Sequence, residues 1–239
     1  MRYARPETYR SPVEQVEGPV RPFDFTTCEP SLVEYVEKVW LTPSYLDDLR
    51  DAFRRFVGED YRGSLLDVGC GMGHLHRLLG IDPGRYVGVD MNALFVRAGV
   101  GRYPGIRAGL GAADRLPFRD DAFDCVLCSD VLIHLQDMGV ALKELISVSN
   151  GNVLLRLRSG NGTFQGSKTV YDRKQERLFN RVQISGVWYY IYYNVLAPED
   201  LHELLRDAGV TRYECVDLLP AHADRLGVTK VFFDARQAK

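Results

Sequence analysis

Apolar and polar positions follow two rhythms along this chain, and the switches between them mark out its elements. Leu65, Leu66 and Val68 form a short apolar run, Tyr86–Val89 a second, and further runs lie at Ile106–Leu110, Phe123–Cys128 and Val153–Leu157. Short continuous apolar runs bounded by turn residues read as parallel strands buried on both faces. Between them the apolar residues recur at helical spacing. Leu75, Leu78 and Leu79 follow the first run, a segment capped by Asn92 follows the second, and Met138–Val148 follows the fourth. This alternation of strand and helix predicts a doubly wound α/β sheet. A further helix starts at Pro198 and stops at Gly209, the usual places for proline and glycine at helix ends. Strands at Tyr213–Leu218 and Val228–Phe233 follow it.

Ahead of the first run the pattern is different. Residues 1–28 are rich in Pro, Arg and Glu and keep no period, so they read as an irregular arm. From Glu29, residues Leu32, Val33, Val36 and Val39 or Trp40 share a helix face. Thr42-Pro43 reads as an N-cap and first turn. A second helix follows, with Tyr45, Leu46, Leu49, Phe53 and Phe56 as its stripe, and Gly58 to Gly63 end it. The division predicted is an arm with helices over 1–57 and a main domain over 58–239, interrupted by an insertion at 158–196.

The insertion is far longer than a usual connection, and loops of that size tend to carry function. It opens on a turn cluster, Ser159 to Gly166. A hairpin should follow, with Arg177–Ile184, a Ser185-Gly186 turn and a returning strand Val187–Val195. Alternation puts Trp188, Tyr190 and Tyr192 on one face of that strand and Tyr189, Ile191 and Tyr193 on the other. One face packs on the domain. The other lines a substrate pocket or a homodimer contact, or else the aromatics only bury a thin hairpin.

Candidate chemistry concentrates where the first run ends, in Gly69, Gly71 and Gly73. A glycine-rich turn between a strand and a helix lets a ligand approach the main chain, and in open α/β sheets nucleotide-like ligands bind there. Asp90 closes the second run about twenty residues on, where an acid grips a ribose hydroxyl pair. The dinucleotide fingerprint needs Gly or Ala at position 74, and the residue there is His74. The pattern Asp67-x-Gly69-x-Gly71-x-Gly73 instead resembles the first motif of class I S-adenosylmethionine (SAM) dependent methyltransferases. Leu116-Pro117-Phe118, Phe123-Asp124 and Val131-Leu132-x-His134-Leu135 extend the resemblance, so that it covers roughly residues 64–135. These motifs are strong for the family and weak for the substrate.

The resemblance implies a Rossmann-like sheet of seven strands with the last antiparallel, SAM as cofactor, and helices ahead of the first strand that form a lid or merely cover the sheet. It implies cofactor contacts from Asp67, Gly69, Gly71, Gly73, Asp90, Met91, Ala113, Asp114 and Ser129. The family usually has an aspartate where Ala112 stands, so either Asp114 or a backbone group recognises adenine, unless Asp114 is only a solvated loop carboxylate. A sulfonium already activates its methyl group, so placing the nucleophile in line supplies much of the acceleration. His134 is the candidate general base, because histidine titrates near neutrality, or a structural residue of its motif. Asp130 orients an acceptor or caps its loop. The aromatic Trp188, Tyr190 and Tyr192 are the candidate substrate contacts.

Composition narrows the class without choosing the substrate. The chain has 239 residues, 46% hydrophobic and 26% charged, with a formal net charge of −2. That suits one domain with an elaboration and recommends no nucleic acid partner. Five scattered cysteines argue for reduced thiols in a cytoplasmic protein, and Cys125 and Cys128 read as two core thiols. No apolar run approaches the roughly eighteen residues of a transmembrane helix, so a soluble protein is expected. No metal pattern is present, and His74 and His76 read as part of the first helix turn. The expected function is methyl transfer to an oxygen or nitrogen of a small-molecule biosynthetic intermediate. One alternative is an RNA or protein methyltransferase, for which Arg156, Arg158, Arg173, Arg177 and Arg181 would form a basic strip. The other is a non-catalytic SAM-binding partner subunit.

Overall fold

A computed structural model of the chain describes residues 33, 47–135, 137–160, 194–217 and 227–239. It also describes the backbone of strand residues at 20–22, 164–166, 170–172, 177–179, 181–184, 187–190 and 193. In chain order the strands are β1 (Val20–Pro22), β2 (Leu65–Val68), β3 (Tyr86–Asp90), β4 (Arg107–Leu110), β5 (Phe123–Ser129), β6 (Ser149–Ser159) and β7 (Phe164–Gly166). They continue with β8 (Val170–Asp172), β9 (Arg177–Phe179), β10 (Arg181–Ile184), β11 (Val187–Tyr190), β12 (Tyr193–Val195), β13 (Glu214–Val216) and β14 (Gly227–Asp234). The helices are α1 (Asp47–Val57), α2 (Leu75–Leu79), α3 (Ala93–Arg102), α4 (Met138–Val148) and α5 (Pro198–Asp207).

Seven strands form the central sheet in the order β13–β14–β6–β5–β2–β3–β4. Only β14 runs antiparallel to its neighbours in it. The chain lays down β2, β3 and β4 in one direction, then returns to the other side of β2 for β5 and β6. This reversal puts a switch point between β2 and β5, and crevices at such points are where open α/β sheets bind ligands.

Burial explains the continuous apolar runs, since every residue of β2 is buried. On one face Leu49 and Phe53 of α1 and Leu75 and Leu79 of α2 pack over Leu65, Cys125, Leu127 and Leu154. On the other, α4 and α5 bury Leu142, Leu145, Leu201 and Leu204 against Leu66, Val126, Val153 and Val231. Cys125 and Cys128 join opposite clusters, as two residues three apart on a strand must. They are core thiols that cannot meet, and burial pushes Cys128 up to about 12.

Four elements differ from the sequence expectation. The strand expected at Val153–Leu157 runs from Ser149 to Ser159, because β14 pairs with it from Asn152 to Ser159. The segment expected as one strand at Val187–Val195 is two, since β11 pairs with β10 whereas β12 pairs with β7. Arg177–Ile184 likewise splits into β9, which pairs with β8, and β10. β1, from the arm read as irregular, joins β11 in parallel, with Val20 opposite Trp188. The helix read from Glu29, the Thr42-Pro43 cap, the Ser185-Gly186 turn and Tyr192 lie outside the described residues, as do the side chains of Trp188 and Tyr190.

Candidate functional site

The site is built from the carboxyl ends of β2, β3 and β5. Beyond Val68 the chain turns on Gly69, Gly71 and Gly73, with φ of 75°, 53° and 74°. These left-handed values favour glycine. Gly69 is constrained twice over, since a Cβ there would lie 2.0 Å from Cγ2 of Val131, just past β5. The turn is held by its main chain. Gly69 and Cys70 N–H donate to the Val89 carbonyl at 2.7 and 3.0 Å, and Gly73 N–H to the Cys70 carbonyl at 2.8 Å.

Asp90 at the tip of β3 closes the turn. Its Oδ2 accepts the Gly71 N–H at 2.8 Å and its Oδ1 the Asn92 N–H at 2.8 Å. Burial pushes this carboxyl above its ordinary range, against the pull of those backbone donors. Asn92 in turn caps α3 by accepting from Leu94 and Phe95 N–H. Met91, between them, is 45% exposed, and Leu110, opposite Asp90 on the edge strand, is 61% exposed. An apolar ledge therefore flanks the acid.

Beneath the turn lies Asp67, 1% exposed in β2. Tyr86 O–H donates to its Oδ2 at 2.6 Å, while its Oδ1 is buried with no hydrogen-bond partner. Burial raises this carboxyl to about 7, the Tyr86 bond opposes the rise, and Asp90 adds to it. Both ring nitrogens of His74 are likewise buried without a hydrogen-bond partner. Burial and the neighbouring His76 lower His74 to about 4, so its ring is neutral at pH 7. His76 braces the turn, since its Nδ1 lies 2.6 Å from the Gly73 carbonyl and its ring packs edge-on against Tyr103. Among the described residues no cluster of His, Cys, Asp or Glu could hold a metal ion.

On the other side of the switch point β5 ends at Ser129. Asp130 follows with φ 56°, an uncommon value for a residue with a side chain. Its N–H donates to the Arg156 carbonyl at 2.9 Å, and its carboxylate is paired with the Arg156 and Arg158 guanidiniums. Arg156, 3% exposed, also approaches Asp48 of α1 at 3.6 Å. His134 ends a single 3₁₀ turn, Leu132–His134, and the next carbonyl, of Leu135, accepts from buried Asn194 of β12 at 2.7 Å. Ala112 and Arg115 close a turn that buries Ala113 and leaves Asp114 exposed.

Sequence reasoning missed Tyr86, Arg156 and Asn194. The signal for Arg156 was present: an arginine in the apolar run Val-Leu-Leu-Arg-Leu must bury its charge against an acid. Read as part of a basic strip, Arg156 and Arg158 are in fact paired with carboxylates.

A family model described as a methyltransferase domain matches residues 66–155, the segment from β2 into β6 that carries the turn, Asp90 and the β5 tip. Residues 66–155 thus form a methyltransferase domain similar to those of class I SAM-dependent methyltransferases. Among curated relatives of this chain, the ubiquinone/menaquinone biosynthesis C-methyltransferase UbiE of Legionella pneumophila (strain Paris) is 34% identical over 119 residues. That alignment covers 46% of this chain and 48% of the relative, so the chain spans about half the length of the curated relative it matches. A demethylmenaquinone methyltransferase of Roseiflexus castenholzii is 29% identical, covering 62% of this chain and 67% of its own. A tRNA U34 carboxymethyltransferase of Ectopseudomonas mendocina is 30% identical, covering 70% and 50%. Among solved structures, the N-terminal domain of EvdMO1 with SAH bound aligns over 82% of this chain and 84% of its own. It has a TM-score of 0.58 at 18% identity, a likeness of fold alone. No helix among the described residues is long and apolar enough to cross a membrane.

Proposed function

We propose that this methyltransferase transfers the methyl group of SAM to an oxygen or nitrogen of a small-molecule biosynthetic intermediate. The observation that carries the reading is the left-handed glycine turn closed by Asp90 at the switch point. The residues present fit the cofactor. Asp67 offers a buried oxygen without a hydrogen-bond partner, suited to a cationic group, and Met91 and Leu110 offer apolar surface to a heterocycle. Gly69, Gly71 and Gly73 would bring main chain against the ligand, Asp90 would take the ribose hydroxyls, and Ser129 would face it from β5. Ala113 and Asp114 would border the adenine; with Asp114 exposed, the backbone of this turn is the better candidate for its recognition. When bound, SAM supplies a methyl group activated by its sulfonium. The chain's own part is then to hold an acceptor in line and to exclude water.

Asp130 and His134 stand on the acceptor side in this reading. The arginine pairs favour a positioning role for Asp130, through the loop it anchors, and leave His134 as the candidate base. Trp188, Tyr190 and Tyr192 would meet the acceptor, or a second copy of the chain, from the insertion. The pairing of β1 with β11 supports an arm over 1–57 that acts with the insertion as a cover. The main domain would then be 58–239, with 158–196 inserted. The free thiols Cys70, Cys125, Cys128 and Cys215 favour a cytoplasmic setting.

The quinone-pathway names of the relatives favour a second reading, with carbon as the accepting atom. An RNA acceptor is less favoured, since two arginines of the expected basic strip are paired with acids. Titration calorimetry with SAM tests the cofactor reading, and no binding by folded protein at millimolar ligand would refute it. Incubation with labelled SAM and a metabolite extract tests the rest. Label in a small molecule supports the proposal, label in RNA or protein replaces its substrate class, and no transfer at all favours a non-catalytic partner subunit.

A further inference from the structure

Asp67 and Tyr86 lie on neighbouring strands, with Tyr86 opposite Leu65 and Gly88 opposite Asp67 in the ladder. The Tyr86 ring, 0% exposed, thus runs along the sheet to reach the carboxylate. The titratable groups that act on Asp67 are Tyr86 and Asp90 of β3, Cys70 of the glycine turn and Cys128 of β5. None of them is a cation. The His76 imidazole, whose ring centroid lies 5.5 Å from that of Tyr86, is lowered by burial and lies against the Gly73 carbonyl. Asp67 is therefore a buried acid with one phenolic donor, an orphan oxygen and no counter-charge from these groups. Such a group is costly to ionise until a positive charge arrives.

We propose that Tyr86 is a positioning residue that keeps Asp67 ready to ionise, and that a cationic ligand seated at the glycine turn expels the proton of Asp67 into solvent. The inference rests on the reading of this turn as the cofactor site. The sign follows from burial, which holds the free carboxyl near 7, partly protonated at neutral pH. An ammonium or sulfonium near Oδ1 favours the carboxylate and lowers that value, so binding releases the proton and tightens as pH rises. Affinity should increase about tenfold from pH 6 to pH 8, and the proton released should fall from nearly one to nearly none. Removing the phenol shifts the transition to higher pH and weakens binding about fivefold at pH 7.

The test is calorimetry of the full chain with S-adenosylhomocysteine, whose amino acid end carries an ammonium, in phosphate and imidazole buffers at pH 6, 7 and 8. The expected result is a buffer-dependent heat reporting proton release at pH 6, abolished in Asp67→Asn and moved to higher pH in Tyr86→Phe. Equal heats in the two buffers, proton uptake, or release that persists in Asp67→Asn would overturn the inference while leaving the cofactor reading intact. Absence of any binding by folded protein would overturn both. If Tyr86→Phe does not fold, the wild-type heats in the two buffers decide the proton claim.

Discussion

Lys230, buried in the middle of β14, sets its ammonium 3.1 Å from the carboxylate of Asp48 in the first turn of α1, 182 residues away in sequence. Lys230 also pairs with Asp217, and Asp48 also approaches Arg156, which is held by Asp130. The row runs from the tip of β5 across β6 to β14, with α1 laid over it. Burying such a row stabilises less than apolar packing would, but it fixes which parts meet. Here it ties the helix that follows the N-terminal arm to the loop that carries His134.

Asp48→Asn should lower stability at pH 7 by about 1–2 kcal/mol, measured by urea unfolding. That is less than the ~3–5 kcal/mol expected for breaking an isolated buried pair, because both cations keep a second acid and Asp48 is partly exposed. Burial pulls Asp48 upward, but Arg156 and Lys230 outweigh it, so its folded value lies below the ordinary one. Its contribution is therefore present above about pH 4 and lost as pH falls through the folded value. The gap between mutant and wild type should shrink in acid. A gap that widens would show that the row is not what holds Asp48.

Gly69→Ala should fail for two separable reasons. The left-handed backbone costs about 1 kcal/mol or more for alanine, and the new Cβ meets Val131 at 2.0 Å. Overpacking of that kind costs about 1–3 kcal/mol. The double variant Gly69→Ala/Val131→Ala removes the second cost but not the first. Thermal unfolding should place it between wild type and the single variant, after allowance for Val131→Ala alone. No recovery would mean that backbone strain accounts for the whole loss.

The sheet and the glycine turn were legible because they depend on local pattern. Leu65–Val68 and Tyr86–Val89 are apolar because both faces of the sheet are covered, and a chain that must turn sharply at a strand tip writes glycine there. The partners of Arg156 were not legible, since nothing in Val-Leu-Leu-Arg-Leu says which acid, or how far away, will meet the guanidinium. The break in Val187–Val195 was hidden for a similar reason. Alternation describes one strand, whereas partner strands decide where it ends, and β11 and β12 pair in different sheets. Tyr86 read as one more apolar residue because its hydroxyl matters only against Asp67 on the next strand.

Asp90→Asn should weaken cofactor binding about tenfold and lower stability by about 1–3 kcal/mol. Both Asp90 oxygens accept a backbone N–H, from Gly71 and Asn92. An amide offers one acceptor and turns its NH₂ against the other donor, which loses about 1–3 kcal/mol of hydrogen bonding at the turn. Calorimetry with S-adenosylhomocysteine measures it. Unchanged affinity would remove Asp90 from the ribose-binding assignment.

Asn194→Ala tests whether the two sides of the switch point are coupled. Asn194 is 1% exposed and donates to the Leu135 carbonyl, just beyond His134. Without it that carbonyl loses its donor from β12, at a cost of about 1–3 kcal/mol, and the 3₁₀ turn at Leu132–His134 loses this bond to β12. Amide hydrogen exchange at 132–135 and 193–196 should speed up, while the exchange of β2 and β3 and the affinity for S-adenosylhomocysteine stay as in wild type. The reason is spatial: the glycine turn is held by Val89, Cys70 and Asp90, none of which touches this bond. If cofactor affinity fell together with the local protection, the two halves of the site would be coupled. β12 would then have to be counted as part of the proposed cofactor site.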